Sequence, residues 1–266
     1  MSLTFTILGC GTSGGVPRIG GDWGKCDPAN PRNRRRRCAL LVERQGPNGV
    51  TRILVDTPPD IRQQLLDVGV GLLDGVLFTH DHADHTHGID DLRVVAFNAR
   101  RRVNVYYDGR TGAILHSRFS YCFNTPEDSA YPPILNGTEI KAGRSFIIEG
   151  PGGAIEAMPF LQGHGEIESL GFRFGGLAYS PDINRLPGET RLLLQDLDIW
   201  IVDALRHTRH PSHFSLSEAL EAIGVVKPKR AILTHMHVDM DYDTLRRELP
   251  PGVEPAYDGM VMELDG

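Results

Sequence analysis

Cysteine is scarce in this chain. The four present, Cys10, Cys26, Cys38 and Cys122, are too few and too scattered over 266 residues for a disulfide framework, and they read as ordinary reduced thiols. Long apolar runs are missing as well. No window approaches the roughly 20 residues that a membrane span requires, so no membrane partner is expected. The opening residues 1–9 carry neither a basic leader nor a cleavable apolar stretch, which points to a cytoplasmic protein. Basic residues are outnumbered, 28 Lys and Arg against 34 Asp and Glu, for a formal charge of −6. That balance argues against a generic nucleic-acid coat protein but leaves room for local basic surface. Low-complexity tracts, Ser/Gly linkers and solenoid-type repeats are absent too, so residues 1–266 are expected to form one domain.

What the chain has in excess is histidine: four of its 11, His80, His82, His85 and His87, lie between positions 80 and 87. Around them the pattern is that of a mixed fold. Short apolar, β-branched runs at 3–8, 39–42, 52–55, 75–78, 103–106, 145–148, 154–158, 177–179, 199–202, 230–233 and 261–264 predict strands. Helical periodicity covers 60–68, 90–99, 111–119, 189–194, 215–223 and 241–249, with Asp60 as a cap for the first and Ser215 with Glu218 as a capping box for the fifth. This alternation predicts an α/β or α+β architecture with extensive sheet covered by helices. One internal likeness stands out. Residues 76–84 and 231–239 are both apolar strands running into Thr-His-x-His-x-Asp.

The segment His80-Asp81-His82-Ala83-Asp84-His85 sits where an apolar strand stops. Residues two apart on an extended end point the same way, so His80 and His82 can converge on one point while Asp84 and His85 address a second. Imidazole and carboxylate suit Zn²⁺, Mn²⁺ or Fe²⁺, and four such groups in so short a run predict two metals about 3.5–4 Å apart. Further ligands must come from elsewhere. His164 between two glycines, Asp182 after residues 177–179 and His235 after 230–233 are the candidates, Asp182 as a bridge because it offers two oxygens. Gly11-Thr12-Ser13-Gly14-Gly15 follows a strand and is either a tight turn or a backbone cradle for phosphate. Arg32 and Arg34–Arg37 form either a solvated charge run or a phosphate-steering surface. His237 and Asp239 are either partners of the site or surface residues; His87 and His116 are taken as structural.

Taken in order, His80-x-His82-x-Asp84-His85, His164, Asp182 and His235 resemble the metallo-β-lactamase-fold hydrolases over essentially the whole chain. The resemblance implies a four-layer αββα sandwich with two divalent ions at one edge. His80, His82 and His164 would hold one ion and Asp84, His85 and His235 the other, with Asp182 between them. Within that superfamily the Gly-Thr-x-x-Gly-Val-Pro opening, the Arg-rich run before Cys38, His213 ahead of a Leu-Ser helix and Asp258-Gly259-Met260 resemble the phosphoribosyl cyclic phosphate phosphodiesterases of phosphonate degradation. That likeness implies hydrolysis of a small phosphodiester by a metal-bridging hydroxide, which Asp84 would orient. His213 would be the general acid or a phosphate contact, and Thr12, Ser13 and Gly14 would line the substrate. Those enzymes carry an extra structural zinc on a cysteine cluster and a histidine; here only Cys26 and, at the later position, Val238 stand there, so that zinc is expected to be missing. Dimers among such proteins make a homodimer an open option.

Rival readings fare less well. A ribonuclease Z-like nuclease would need a long Gly/Pro-rich arm to clamp tRNA, and a thioesterase of glyoxalase II type a C-terminal helical domain; neither is recognisable. A flavodiiron oxidoreductase would need more chain, and a secreted β-lactamase an export signal. A non-catalytic binding module would have shed some of the seven ligands, and all seven are present.

Overall fold

The computed structural model describes residues 2–125 and 130–265; of the expected span 1–266, Met1, residues 126–129 and Gly266 lie outside. Among the described residues the strands are β1 (Ser2–Gly9), β2 (Ala39–Gly46), β3 (Gly49–Val55), β4 (Gly75–Leu77), β5 (Val103–Tyr107), β6 (Leu135–Glu139), β7 (Phe146–Ile148), β8 (Ile155–His164), β9 (Ile167–Phe174), β10 (Leu177–Ser180), β11 (Ile199–Asp203), β12 (Arg230–Thr234), β13 (Val253–Pro255) and β14 (Met260–Asp265). They form two sheets, ordered β14-β1-β2-β3-β4-β5-β6 and β13-β12-β11-β10-β9-β8-β7. The helices are α1 (Ile61–Asp67), α2 (Ala83–Thr86), α3 (Leu92–Ala99), α4 (Gly109–Arg118), α5 (Ser120–Phe123), α6 (Gly188–Leu193), α7 (Leu216–Val226) and α8 (Tyr242–Glu248).

The period of two explains the layering. On β2, Leu40 and Val42 enter the core shared by the sheets, while Ala39 and Leu41 enter a second core under helices. β3 divides Ile53 and Val55 from Leu54 in the same way. The outer face of the first sheet is covered by Ile61 and Leu65 of α1, Leu92 and Val95 of α3, Leu115 of α4 and Phe123 of α5. Ala219 of α7 and Leu245 of α8 join the second sheet to the larger core. The result is the four-layer αββα sandwich that the family resemblance implied. Each large apolar side chain taken out of water contributes about 1.5–3 kcal/mol, so these cores can carry a polar, strained site at one edge.

Direction of the strands decides where that site lies. β3, β4, β5 and β6 run parallel, as do β10, β11, β12 and β13. β8 and β10 both pair antiparallel with β9 and therefore share a direction. Parallel strands need crossovers, and the intervening helices provide them, leaving the carboxyl ends of strands from both sheets free to present side chains. No helix among the described residues is long and apolar enough to cross a membrane.

Candidate metal centre

Beyond β4 the chain continues through Phe78 and Thr79 to His80, then winds the single turn α2. The His82 carbonyl accepts from the Thr86 hydroxyl (2.9 Å) and the His85 N–H (3.1 Å), which folds Asp84 and His85 back toward His80. His164 is the last residue of β8, so it lies on the strand itself and not beyond it. Asp182 follows β10 by two residues, and His235 directly follows β12. His235 sits at φ +58°, in the left-handed region, a costly conformation that clusters at functional sites.

Asp182 is the centre of the arrangement. Its Oδ2 lies 3.7 Å from His80 Nε2 and 3.5 Å from His164 Nε2. Its Oδ1 lies 3.0 Å from His85 Nε2 and 3.5 Å from His235 Nε2. Asp84 Oδ2 is 3.6 Å from both His85 Nε2 and His235 Nε2. His82 Nδ1 faces His164 Nε2 at 3.2 Å. Ligand atoms of His80, His82, His164 and Asp182 thus fall within 4.8 Å of one another, as do those of Asp84, His85 and His235 and those of Asp182, His213 and His235.

The donor atoms at the middle of this cluster are not paired with one another. His80 Nε2, His85 Nε2, His235 Nε2 and Asp182 Oδ1 are buried without a hydrogen bond, His85 and Asp182 being close but misaligned. Each such group costs about 1–3 kcal/mol, so the cluster makes physical sense as a cradle for cations that would satisfy them together. Electrostatics agree. Burial would raise the Asp182 carboxyl, but the imidazoles of His235 and His85 outweigh it and hold the group well below the carboxylate range. Burial keeps His80 well below its ordinary value and brings His164 down to about 4, so both present neutral nitrogens. For His85, burial is outweighed by Asp182, Asp56 and Asp84, and its pKa is raised.

A layer of partners fixes these rings. Asp56, at φ +66° directly after β3, takes His85 Nδ1–H at 2.7 Å and accepts from the Thr79 N–H and hydroxyl, both at 2.8 Å. His164 Nδ1 donates to the Ser212 carbonyl at 2.7 Å. Asp203, at the end of β11, lies 2.7 Å from His213 Nδ1, turning His213 Nε2 toward Asp182 Oδ2 at 3.8 Å. Such partners set tautomer and ring orientation. Asp56 and Asp203 escaped the sequence reading, although each follows an apolar strand, the same signal that singled out Asp182.

Other sequence-level candidates fall elsewhere. Thr12 is buried, Ser13 and Gly14 are exposed, and none belongs to the ligand cluster; Thr12 N–H bonds the Met236 carbonyl at 3.2 Å, beside His235. The arginine run is largely used internally. Arg32 stacks on Tyr242 and Tyr257, Arg34 on Trp23, while Arg36 pairs with Asp67 and Arg37 with Asp60. Asp60, expected as a side-chain cap, spends its carboxylate on Arg37 instead. Arg35 is fully buried and donates to the Met240 carbonyl at 2.7 Å. Cys26 and Val238 pack with Val16 and Trp23 in a small apolar cluster, against which Gly24 leaves no room for a side chain. His237 pairs with Asp239 and with Arg18, which reaches it from the first loop. His116 bonds the Tyr107 hydroxyl and His87 packs on Phe119, both structural as read.

Residues 51–236 match the beta-lactamase superfamily domain. The chain belongs to that superfamily and has the metallo-β-lactamase fold, which implies divalent metal. It is similar to a new diphosphatase from the PhnP family, with 34% identity and a TM-score of 0.88 over 99% of this chain and 98% of that one. The Zn²⁺-bound PqqB from Methylobacterium extorquens shares the fold, with 18% identity and a TM-score of 0.73 over 98% of this chain and 100% of that one. An octanoyltransferase from Porphyromonas gingivalis (strain ATCC BAA-308 / W83) is 31% identical over 264 residues, 97% of this chain but 51% of the relative. The chain thus spans about half the length of that curated relative.

Proposed function

We propose that this protein is a dinuclear metal-dependent phosphodiesterase acting on small cyclic phosphate or nucleotide-like diesters. One observation carries the reading: Asp182 turns one oxygen to His80 and His164 and the other to His85 and His235, so it would be shared by two cations held by these residues. His80, His82 and His164 would hold one ion and Asp84, His85 and His235 the other, as Zn²⁺ or Mn²⁺, both of which suit these nitrogen and oxygen donors. When bound, such a pair supplies Lewis acidity, making water a nucleophile near neutral pH and offsetting the diester's charge.

The chain's own residues do the rest. Asp84, whose side chain is partly open to solvent, can accept a hydrogen bond from the attacking water and set its direction. His213 is the proton carrier at the leaving oxygen. Asp203 accepts from its Nδ1–H and fixes the ring, so a proton on Nε2 can pass to the departing alkoxide. Burial outweighs the Asp182 and Asp84 carboxylates and leaves the His213 pKa below its ordinary value, so the ring releases its proton readily once it is charged. Thr12, whose N–H bonds the Met236 carbonyl beside His235, would receive the substrate together with Ser13 and Gly14, which follow it in the chain. Likeness to a protein described as a diphosphatase supports phosphoester chemistry, and the net −6 suits a small substrate better than an extended nucleic acid.

Elemental analysis followed by a matched substrate panel tests the reading. Cyclic phosphoribose, nucleoside cyclic phosphates, aryl phosphodiesters, a diphosphate ester, precursor tRNA and a glutathione thioester would be compared. Two metals per chain and turnover of the small diesters are expected. Robust thioester turnover without diester turnover would overturn it.

A further inference from the structure

At the far end of the first sheet, away from the metal-bearing strand ends, α3 and the segment leading into β6 enclose a groove of about 320 Å³. Its lining is unusual for a chain of net charge −6: Arg93, Arg100, Arg101 and Arg102 face it, with no acidic side chain among the described residues that line it. Phe97, 71% exposed, and Tyr131, 74% exposed, supply aromatic surface in the same groove.

Local structure shows how the cations are spread. α3 closes on Arg100, whose backbone is left-handed at φ +50° and whose N–H caps the Ala96 and Phe97 carbonyls. That turn presents three consecutive arginines before β5 begins. Two cations are anchored: Arg93 to Asp90 at 2.6 Å and Arg101 to Asp74 at 3.1 Å. Arg102 donates to the neutral Asn136 at 3.5 Å, and no carboxylate lies within ion-pair distance of Arg100 or Arg102 among the described residues. Glycine would fit the left-handed position without strain, yet an arginine stands there.

We propose that this groove is a binding site for a nucleoside phosphate, separate from the metal centre. The base stacks on Phe97 and Tyr131, a contact available to any base, and Arg100 and Arg102 take the phosphate as charge-assisted donors. A pocket of this volume is in the usual range for a small ligand. The same chemistry is offered by a free mononucleotide and by one residue of a single-stranded RNA.

Calorimetric titration of the metal-loaded protein with adenosine 5′-monophosphate and with a short oligoadenylate tests the site. Phe97→Ala is expected to weaken binding about tenfold through lost stacking. The Arg100→Gly/Arg102→Gln pair is expected to weaken it about tenfold or more, with a smaller salt dependence. Arg100→Gly relieves the left-handed backbone, so the thermal midpoint should hold or rise, which separates lost binding from lost folding. Asp182→Ala should leave binding intact. Tighter binding of the oligonucleotide with the same dependence on Phe97 makes RNA the source; equal binding makes it the free nucleotide. Absence of heat with either probe, heat that survives the groove substitutions, or heat that disappears with Asp182→Ala overturns the proposal.

Discussion

Asp56 is the residue on which the candidate metal cluster leans without contributing to it. Its carboxylate is fully buried, bonds His85 Nδ1 at 2.7 Å and holds Thr79, which in turn lies 3.0 Å from His80 Nδ1. Asp56→Ala removes the group that fixes two ligand rings, and an about 10–100-fold loss of metal affinity is expected in competition with a chromophoric chelator. Unchanged affinity would show that packing alone orients His85. The same residue bears on pH dependence. Burial would lower the His85 pKa, but Asp182, Asp56 and Asp84 raise it above the ordinary value, so the metal-free ring carries a proton near neutrality. Metal needs the Nε2 lone pair, so binding must expel that proton, and apparent affinity should rise with pH. His164, brought down to about 4, adds no proton competition above that pH. Titrations at pH 7 in buffers of different ionisation enthalpy should show proton release; its absence would contradict the assignment. The residues of the candidate cluster were legible in the sequence because they cluster or follow apolar strands. Asp56 and Asp203 were not, because a lone acid after a strand also serves as a turn former, and only the folded sheets bring them to His85 and His213.

Among the elements, α7 and α8 show what local chemistry can specify. The Ser215/Glu218 capping box forms as the sequence predicted. β6, β9 and β13 were not legible, for different reasons. β6 is the mostly exposed edge strand Leu-Asn-Gly-Thr-Glu, and β13 is the three-residue Val-Glu-Pro at the opposite sheet's edge. β9 carries Gly171 in its middle, where any side chain would strike Phe160, so packing and not propensity makes it a strand. α8 is capped by Asp241, which accepts from the Thr244 N–H at 2.9 Å and also binds Asn33 and the Asp27 N–H, tying the first loop to the helix. Burial would raise this carboxyl, but those donors prevail and hold it at about 2. A depressed folded value means stability present in full above the unfolded value of about 3.9 and lost as pH falls through about 2. Discounted for solvent screening, the contribution is about 1 kcal/mol. Asp241→Asn should therefore be less stable by about that amount in urea unfolding at pH 7, with the gap closing near pH 2. A gap independent of pH would assign the loss to shape instead of charge.

At the scale of the whole molecule, the candidate metal cluster joins the two sheets. His80, His82, Asp84 and His85 come from the end of β4 in the first sheet, and His164, Asp182 and His235 from the ends of β8, β10 and β12 in the second. The apolar cores hold the sandwich by themselves, but at this edge the sheets meet through unpaired imidazoles and carboxylates that cations would satisfy. Ions that bind only the folded chain stabilise it by mass action, about 4 kcal/mol when free metal is a thousand times the dissociation constant. For a chain of this size each kcal/mol moves the thermal midpoint by about 2–4 °C, so chelation should lower it by on the order of 10 °C. Scanning calorimetry of metal-loaded and chelator-treated protein measures the difference, with metal content checked in each sample. Asp182→Ala removes the group shared by both halves of the cluster, so its midpoint should sit near that of the stripped wild type and respond little to chelator. If stripped wild type melts where loaded protein does, the sheets do not depend on the ions, and the cluster would serve chemistry alone.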